Sequence, residues 1–136
     1  MIYQKHSDCK QQPFKDKNIK VSEREIENEI LFYLKKVGVF AWKNDSIGVF
    51  DARKGKFRKP QGRYHLNGVS DIIGILNGRA LFIEVKKPQT KLQQAGRPSK
   101  TQLEFLKKAS ENGAIAILAW GLCDVIQQVR ELGFAE

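Results

Sequence analysis

The chain has 136 residues, of which 41% are hydrophobic and 29% charged. That length supports one domain with a hydrophobic core and excludes two, and the composition is that of a folded globular protein, not a disordered one. Twenty-four Lys and Arg against fifteen Asp and Glu give a net charge of +9, so the expected partner is a polyanion, nucleic acid ahead of an anionic membrane surface.

Residues 1–20 are polar and basic without periodicity, which predicts a flexible or loosely docked arm ahead of a single domain over residues 21–136. The opening Met-Ile-Tyr-Gln-Lys-His-Ser-Asp lacks the apolar stretch of a signal peptide, and no apolar run reaches membrane-spanning length. Cys9 and Cys123 stand far apart without metal-ligand spacing. That argues against a disulfide framework and a structural zinc site, and the expected location is cytoplasmic.

Ser22-Glu23-Arg24-Glu25 has the form of a capping box. Ile26, Ile30, Tyr33, Leu34 and Val37 then recur at helical spacing, Gly38 ends the run, and Val39-Phe40-Ala41-Trp42 reads as a short strand. Residues 51–66 form a basic, Gly- and Pro-punctuated loop or ragged hairpin in which Arg53, Lys54, Lys56, Arg58, Lys59 and Arg63 alternate with Phe57 and Tyr64. Two readings stand: a solvated charged loop, or a DNA-contacting one with cations for phosphates and rings for stacking.

Asn77-Gly78, between Asp71-Ile-Ile-Gly-Ile-Leu and Arg79-Ala-Leu-Phe-Ile-Glu-Val-Lys86, is a hairpin signal. Both strands are apolar on both faces, which predicts central strands covered on each side. Residues 87–97, with Lys87, Lys91 and Arg97, form a second polar loop. Ser99-Lys100-Thr101-Gln102 is another capping box, opening a helix through Glu111 that Asn112-Gly113 closes. Residues 114–120 predict a buried strand and residues 123–132 a final helix. The expected fold is α/β, a central mixed sheet flanked by helices.

A two-residue turn at Asn77-Gly78 pairs Leu76 with Arg79, and stepping outward in that register brings Asp71 opposite Glu84. Opposed residues share a face with their Cβ atoms about 4.5–5.5 Å apart, where like charges destabilise a sheet. A divalent cation is the simplest remedy, because Mg²⁺ prefers one or two carboxylates together with water and phosphate oxygens. Lys86 lies on the Glu84 face, and the Val85 carbonyl falls near the same spot as a possible ligand. The plain alternative is that Asp71 sits at a frayed strand end and pairs with Lys86. A third carboxylate is expected from the first helix, Glu23 lying nearest the centre of the apolar stripe and Glu27 one turn along as the alternative. Gln102 has a structural explanation as the capping-box partner of Ser99.

These residues resemble the PD-(D/E)xK nuclease superfamily and, within it, the virus-type replication-repair nuclease (VRR-NUC) domain in its stand-alone bacterial or phage form. The resemblance rests on residues 22–28, Trp42-Lys43-Asn44, Gly68-Val69-Ser70-Asp71, Ile83-Glu84-Val85-Lys86, Thr101-Gln102 and residues 112–116, in order from about residue 22 to 130. It implies a restriction-endonuclease-like core and Mg²⁺- or Mn²⁺-dependent cleavage of DNA phosphodiesters in a bacterial or phage-infected cell. Carried over to this chain, Asp71, Glu84 and the Val85 carbonyl bind metal, Lys86 assists the water, and Glu23 and Gln102 support the site. Holliday-junction resolution by a homodimer in DNA repair is the expected activity, on branched or double-stranded DNA gripped by Lys43, Lys87, Lys91, Arg97 and the cations of the basic loop. Ser70 replaces the commoner Pro of the family motif, and the basic loop is longer than in compact members. The competing expectations are a flap, single-strand or restriction-type nuclease and a non-catalytic nucleic-acid-binding module.

Overall fold

The computed structural model describes residues 14–45, 49–58 and 62–133. The first helix, α1 (Glu23–Lys36), starts where Ser22 Oγ accepts a hydrogen bond from the Glu25 amide at 3.1 Å. Among the described residues only this half of the expected capping box is formed. Ile26, Ile30, Tyr33 and Leu34 are buried along one stripe, as their spacing requires. β1 (Phe40–Lys43) follows, and β2 (Val49–Asp51) and β3 (Lys56–Arg58) form a separate two-stranded hairpin. β4 (Ile72–Leu76) and β5 (Arg79–Val85) are joined through Asn77 and Gly78, both with positive φ, as the expected hairpin turn demands. α2 (Lys100–Glu111), β6 (Ile115–Ala119) and α3 (Leu122–Glu131) complete the chain.

The main sheet has the order β1-β4-β5-β6, antiparallel except for the parallel β5–β6 pair. The chain is therefore α/β, with a four-stranded mixed sheet flanked by three helices. Strand alternation sorts the two layers. Leu81, Ile83 and Val85 join Ile72, Leu76, Ile115 and Ile117 in the core beneath α1 and α3. Phe82 points the opposite way, with Ala116 and Leu118, towards Leu106 and Phe105 of α2. The Phe82 and Phe105 rings meet edge to face with centroids 4.9 Å apart.

Coverage of the hairpin differs from expectation. α2 lies over β5 and β6, so Ile75 on β4 and its partner Phe40 on β1 remain exposed, with Trp42 beside them. A single helix of twelve residues is about 18 Å long and one helix wide, and cannot roof four strands. In the N-terminal segment, of which residues 14–20 are described, Phe14 packs against the main core and the Lys91 amide bonds the Lys17 carbonyl at 3.1 Å. Cys123 is disulfide-bonded, which two widely spaced cysteines did not suggest. Among the described residues, no helix is long and apolar enough to cross a membrane.

Gly74 lets β1 lie close to β4. A Cβ there would stand 2.7 Å from the Phe40 carbonyl oxygen and 2.8 Å from the Ala41 Cβ. Gly→Ala inside a strand ordinarily gains stability. Here Gly74→Ala is expected to cost about 1–3 kcal/mol through overpacking, read by urea unfolding. A variant as stable as the parent would show that β1 gives way freely.

Candidate active site

The β4–β5 register runs from Leu76↔Arg79 to Ile72↔Ile83, so the next positions outward are Asp71 and Glu84. Asp71 lies one residue ahead of β4 and extends the ladder with its side chain, Oδ2 accepting the Val85 amide at 2.8 Å. Its backbone is held from β1's end. The Asn44 amide donates to the Asp71 carbonyl at 2.7 Å and Asn44 Nδ2 to the Ser70 carbonyl at 3.3 Å. Asn44 is thus a positioning residue for the Ser70–Asp71 segment. Its place after the basic strand was visible in the sequence, but a clamp between two loops was not.

Glu84 is buried, with 1% of its surface exposed. Its Oε1 accepts Gln102 Nε2 at 2.8 Å and faces Lys86 Nζ at 3.5 Å. Its Oε2 is buried without a hydrogen-bond donor. Burial, then the charge of Asp71 and a hydrogen bond shared with its carboxyl, push the Glu84 carboxyl up to about 8, against the opposing pull of Lys86. A carboxylate seated like this holds a proton at neutral pH unless a cation replaces it.

Gln102 fills both roles the sequence held apart. Its Oε1 accepts the Ser99 amide at 2.8 Å, while its backbone amide donates to Ser99 Oγ at 3.1 Å, closing the capping box. With the oxygen committed to the cap, the amide NH₂ is aimed at Glu84. The cap of α2 therefore orients a hydrogen-bond donor in the site. Gly68, with φ +77°, brings the preceding loop against this same helix start, where a Cβ would come within 2.7 Å of the Thr101 carbonyl.

The buried acid of α1 is Glu27, whereas Glu23 is half-buried in the helix's opening turn. Glu27 lies 3.2 Å from Lys43 Nζ, which is also 3.9 Å from Asp45. Burial raises the Glu27 carboxyl above its ordinary value, Lys43 opposes the shift, and the charges of Asp71 and Glu23 add to it. Asp71 therefore acts on both Glu27 and Glu84. Among the described residues no group of three or more His, Cys, Asp and Glu is gathered tightly enough to hold a metal ion. The acids brought side by side are the pair Asp71 and Glu84, and Glu23 is not joined to them.

The expected cations are at the surface. Arg53, Lys54 and Lys56 are exposed on the β2–β3 hairpin, as are Lys87, Lys91 and Arg97 on the loop between β5 and α2. Arg63 lies over the Tyr64 ring, 5.7 Å from its centroid. Lys59 and the side chain of Arg58 lie outside the described residues. Gln93, unnoticed in the sequence, orders the second loop by accepting the Val21 amide at 3.2 Å and donating to the Val21 and Pro88 carbonyls. Compared with protein-family models, curated proteins and solved structures, the chain has no match.

The raised Glu84 carboxyl has a consequence for stability. A folded-state pKa above the unfolded value favours the fold while the group is protonated. That contribution is complete below the ordinary value of 4.5 and is lost as pH rises towards about 8. In chelator, the parent is expected to lose up to about 1.4 kcal/mol per pH unit from this group across that window. Glu84→Gln should flatten the profile. Parallel unfolding curves for parent and variant from pH 5 to 8 would contradict the assignment.

Proposed function

We propose that the protein is a metal-dependent, structure-selective DNA endonuclease with a restriction-endonuclease-like core, acting on branched DNA in the manner of a Holliday-junction resolvase. The observation that carries this reading is the pair of opposed carboxylates, with Glu84 Oε2 buried and without a donor beside the Lys86 ammonium. Without a cation the pair shares a proton between its two carboxyls, and a divalent ion in a basic protein of net charge +9 would take the proton's place.

Asp71 and Glu84 would hold a hard divalent cation, Mg²⁺ or Mn²⁺, the kind of ion that takes one or two carboxylates and keeps water and phosphate oxygens. The Val85 amide turns towards Asp71, and the Val85 carbonyl is the backbone oxygen offered for the same role. When bound, such an ion neutralises charge on the scissile phosphate and makes water more acidic. The protein's own groups do the remaining work. Lys86 places a positive charge beside Glu84, where it orients the attacking water and balances the charge that develops on phosphorus. Gln102 fixes the Glu84 carboxylate through one oxygen and leaves the other free. Asn44 and the Val85 amide fix Asp71. In-line attack by water then breaks the P–O3′ bond, leaving a 5′-phosphate and a 3′-hydroxyl.

Glu27, paired with Lys43, is better buried than Glu23 and shares the field of Asp71, so it is the helix acid favoured to support the site. The exposed cations of the hairpin and of the β5–α2 loop take backbone phosphates, which gives shape preference without sequence preference. A homodimer would present two such sites to symmetric strands of a junction. The bare, uncharged face of Phe40, Trp42 and Ile75 supports this, because two strongly basic copies can meet there without opposing like charges.

Asp71→Asn and Glu84→Gln are expected to lower cleavage of labelled four-way junctions by at least about a thousandfold, the scale of losing a principal catalytic group, while junction binding persists. Either variant cutting at the parent rate would overturn the site. Replacing Arg53, Lys54 and Lys56 with Gln should reduce the slope of log K against log salt by roughly 0.9 for each DNA phosphate that those cations neutralise in the parent complex. An unchanged slope would mark the hairpin as a solvated surface.

A further inference from the structure

The segment ahead of Asp71 carries two large apolar side chains that the fold does not use. Tyr64 is 89% exposed and Leu66 is 56% exposed, although both lie within seven residues of Asp71 in the sequence. They are not loosely presented. The His65 amide bonds the Gly62 carbonyl at 3.0 Å, which closes a turn with Arg63 and Tyr64 at its tip. The Arg63 guanidinium lies over the Tyr64 ring, and Gly68 anchors the far end of the segment against Thr101 at the start of α2. A single exposed aromatic is ordinary on a protein surface. What sets Tyr64 apart is its place in a closed turn with the Arg63 guanidinium over the ring, which leaves exposed ring surface for a partner.

The surroundings indicate what that is. The Arg63 guanidinium lies over the ring, and in the sequence the exposed cations Arg53, Lys54 and Lys56 of the hairpin precede it, cations suited to phosphates. An aromatic ring backed by a guanidinium among backbone-binding cations is the arrangement that accepts a nucleobase face. Tyr64 is seven residues from Asp71, so extended chain limits their separation to about 25 Å, roughly seven base steps of duplex at 3.4 Å each.

We propose that Tyr64 and Leu66 form a wedge that takes an unstacked base close to the scissile phosphate, making them specificity-determining residues for DNA with exposed bases at a branch over continuous duplex. The proposal rests on the nuclease reading and adds to it the residues that select the substrate. A base at a branch point has already lost a stacking partner, so stacking on Tyr64 is available there without the cost of opening a duplex step. Leu66 would fill the space that the base vacates.

The test uses full-length protein carrying Asp71→Asn, so that binding is measured without cleavage. Affinities are compared for a four-way junction, a fork and a continuous duplex of equal length, with 2-aminopurine at the branch. The combined change Tyr64→Ala and Leu66→Ala should weaken junction and fork binding by about tenfold or more, the scale of removing one stacking platform. Duplex affinity and its salt slope should not move, and the 2-aminopurine signal on binding should disappear. Tyr64→Phe should retain both the preference and the signal. Equal losses on all three DNAs would overturn the wedge in favour of an ordinary backbone contact. No loss on any of them would overturn it in favour of a solvated loop or a protein-binding one. If parent protein cuts junctions while the wedge variant keeps its preference, the wedge alone fails. If the protein binds no DNA, both readings fail.

Discussion

Two carboxyl groups held on neighbouring strands, one of them almost wholly out of water, cannot both be charged without strong repulsion, because solvent does little to screen them. Asp71 and Glu84 are placed there by backbone register, which neither side chain can escape. Much of the surrounding structure answers that strain. The Val85 amide takes one oxygen of Asp71, Gln102 and Lys86 share one oxygen of Glu84, and Asn44 pins the chain on which Asp71 sits. These contacts hold the pair in place without satisfying it. Two acids this close, one of them buried, that must share a proton or a cation are the physical ground for reading the place as a site.

The pair Asp71 and Glu84 lies apart from the exposed cations Arg53, Lys54 and Lys56 of the hairpin and Lys87, Lys91 and Arg97 of the β5–α2 loop. Lys43 and Lys86 are instead set against buried Glu residues. Under the proposed reading, the exposed cations would take the phosphates of a polyanion and the acids would hold the metal. Binding and chemistry then depend on different residues, so removing exposed charge and removing one of the acids should have separable effects.

How much of this was legible in the sequence depended on range. Register is a local property, and Asn77-Gly78 was enough to oppose Asp71 and Glu84. The Ser22 and Ser99 caps marked both helix starts for the same reason. Longer-range features were not legible. Helical periodicity favoured Glu23 because it counts angles alone, whereas burial depends on what lies above each turn, and β1 with Lys43 lies beside Glu27. The two uses of Gln102 were treated as rivals because periodicity cannot show that one amide serves a cap with its oxygen and a carboxylate with its nitrogen. That α2 leaves the β1–β4 half of the sheet bare follows from where one helix lands, and apolar strands alone cannot report it.

Whether Asp71 and Glu84 form one cation site is tested most directly by ion binding in the absence of substrate. Mn²⁺ is titrated calorimetrically into the parent, Asp71→Asn and Glu84→Gln proteins at constant pH, with circular dichroism confirming that each is folded. Saturable binding of about one ion per chain is predicted for the parent, as expected for a pair of carboxylates, together with its loss in both variants. A parent that binds no divalent cation, or a Glu84→Gln protein that binds Mn²⁺ as tightly as the parent, would contradict the assignment.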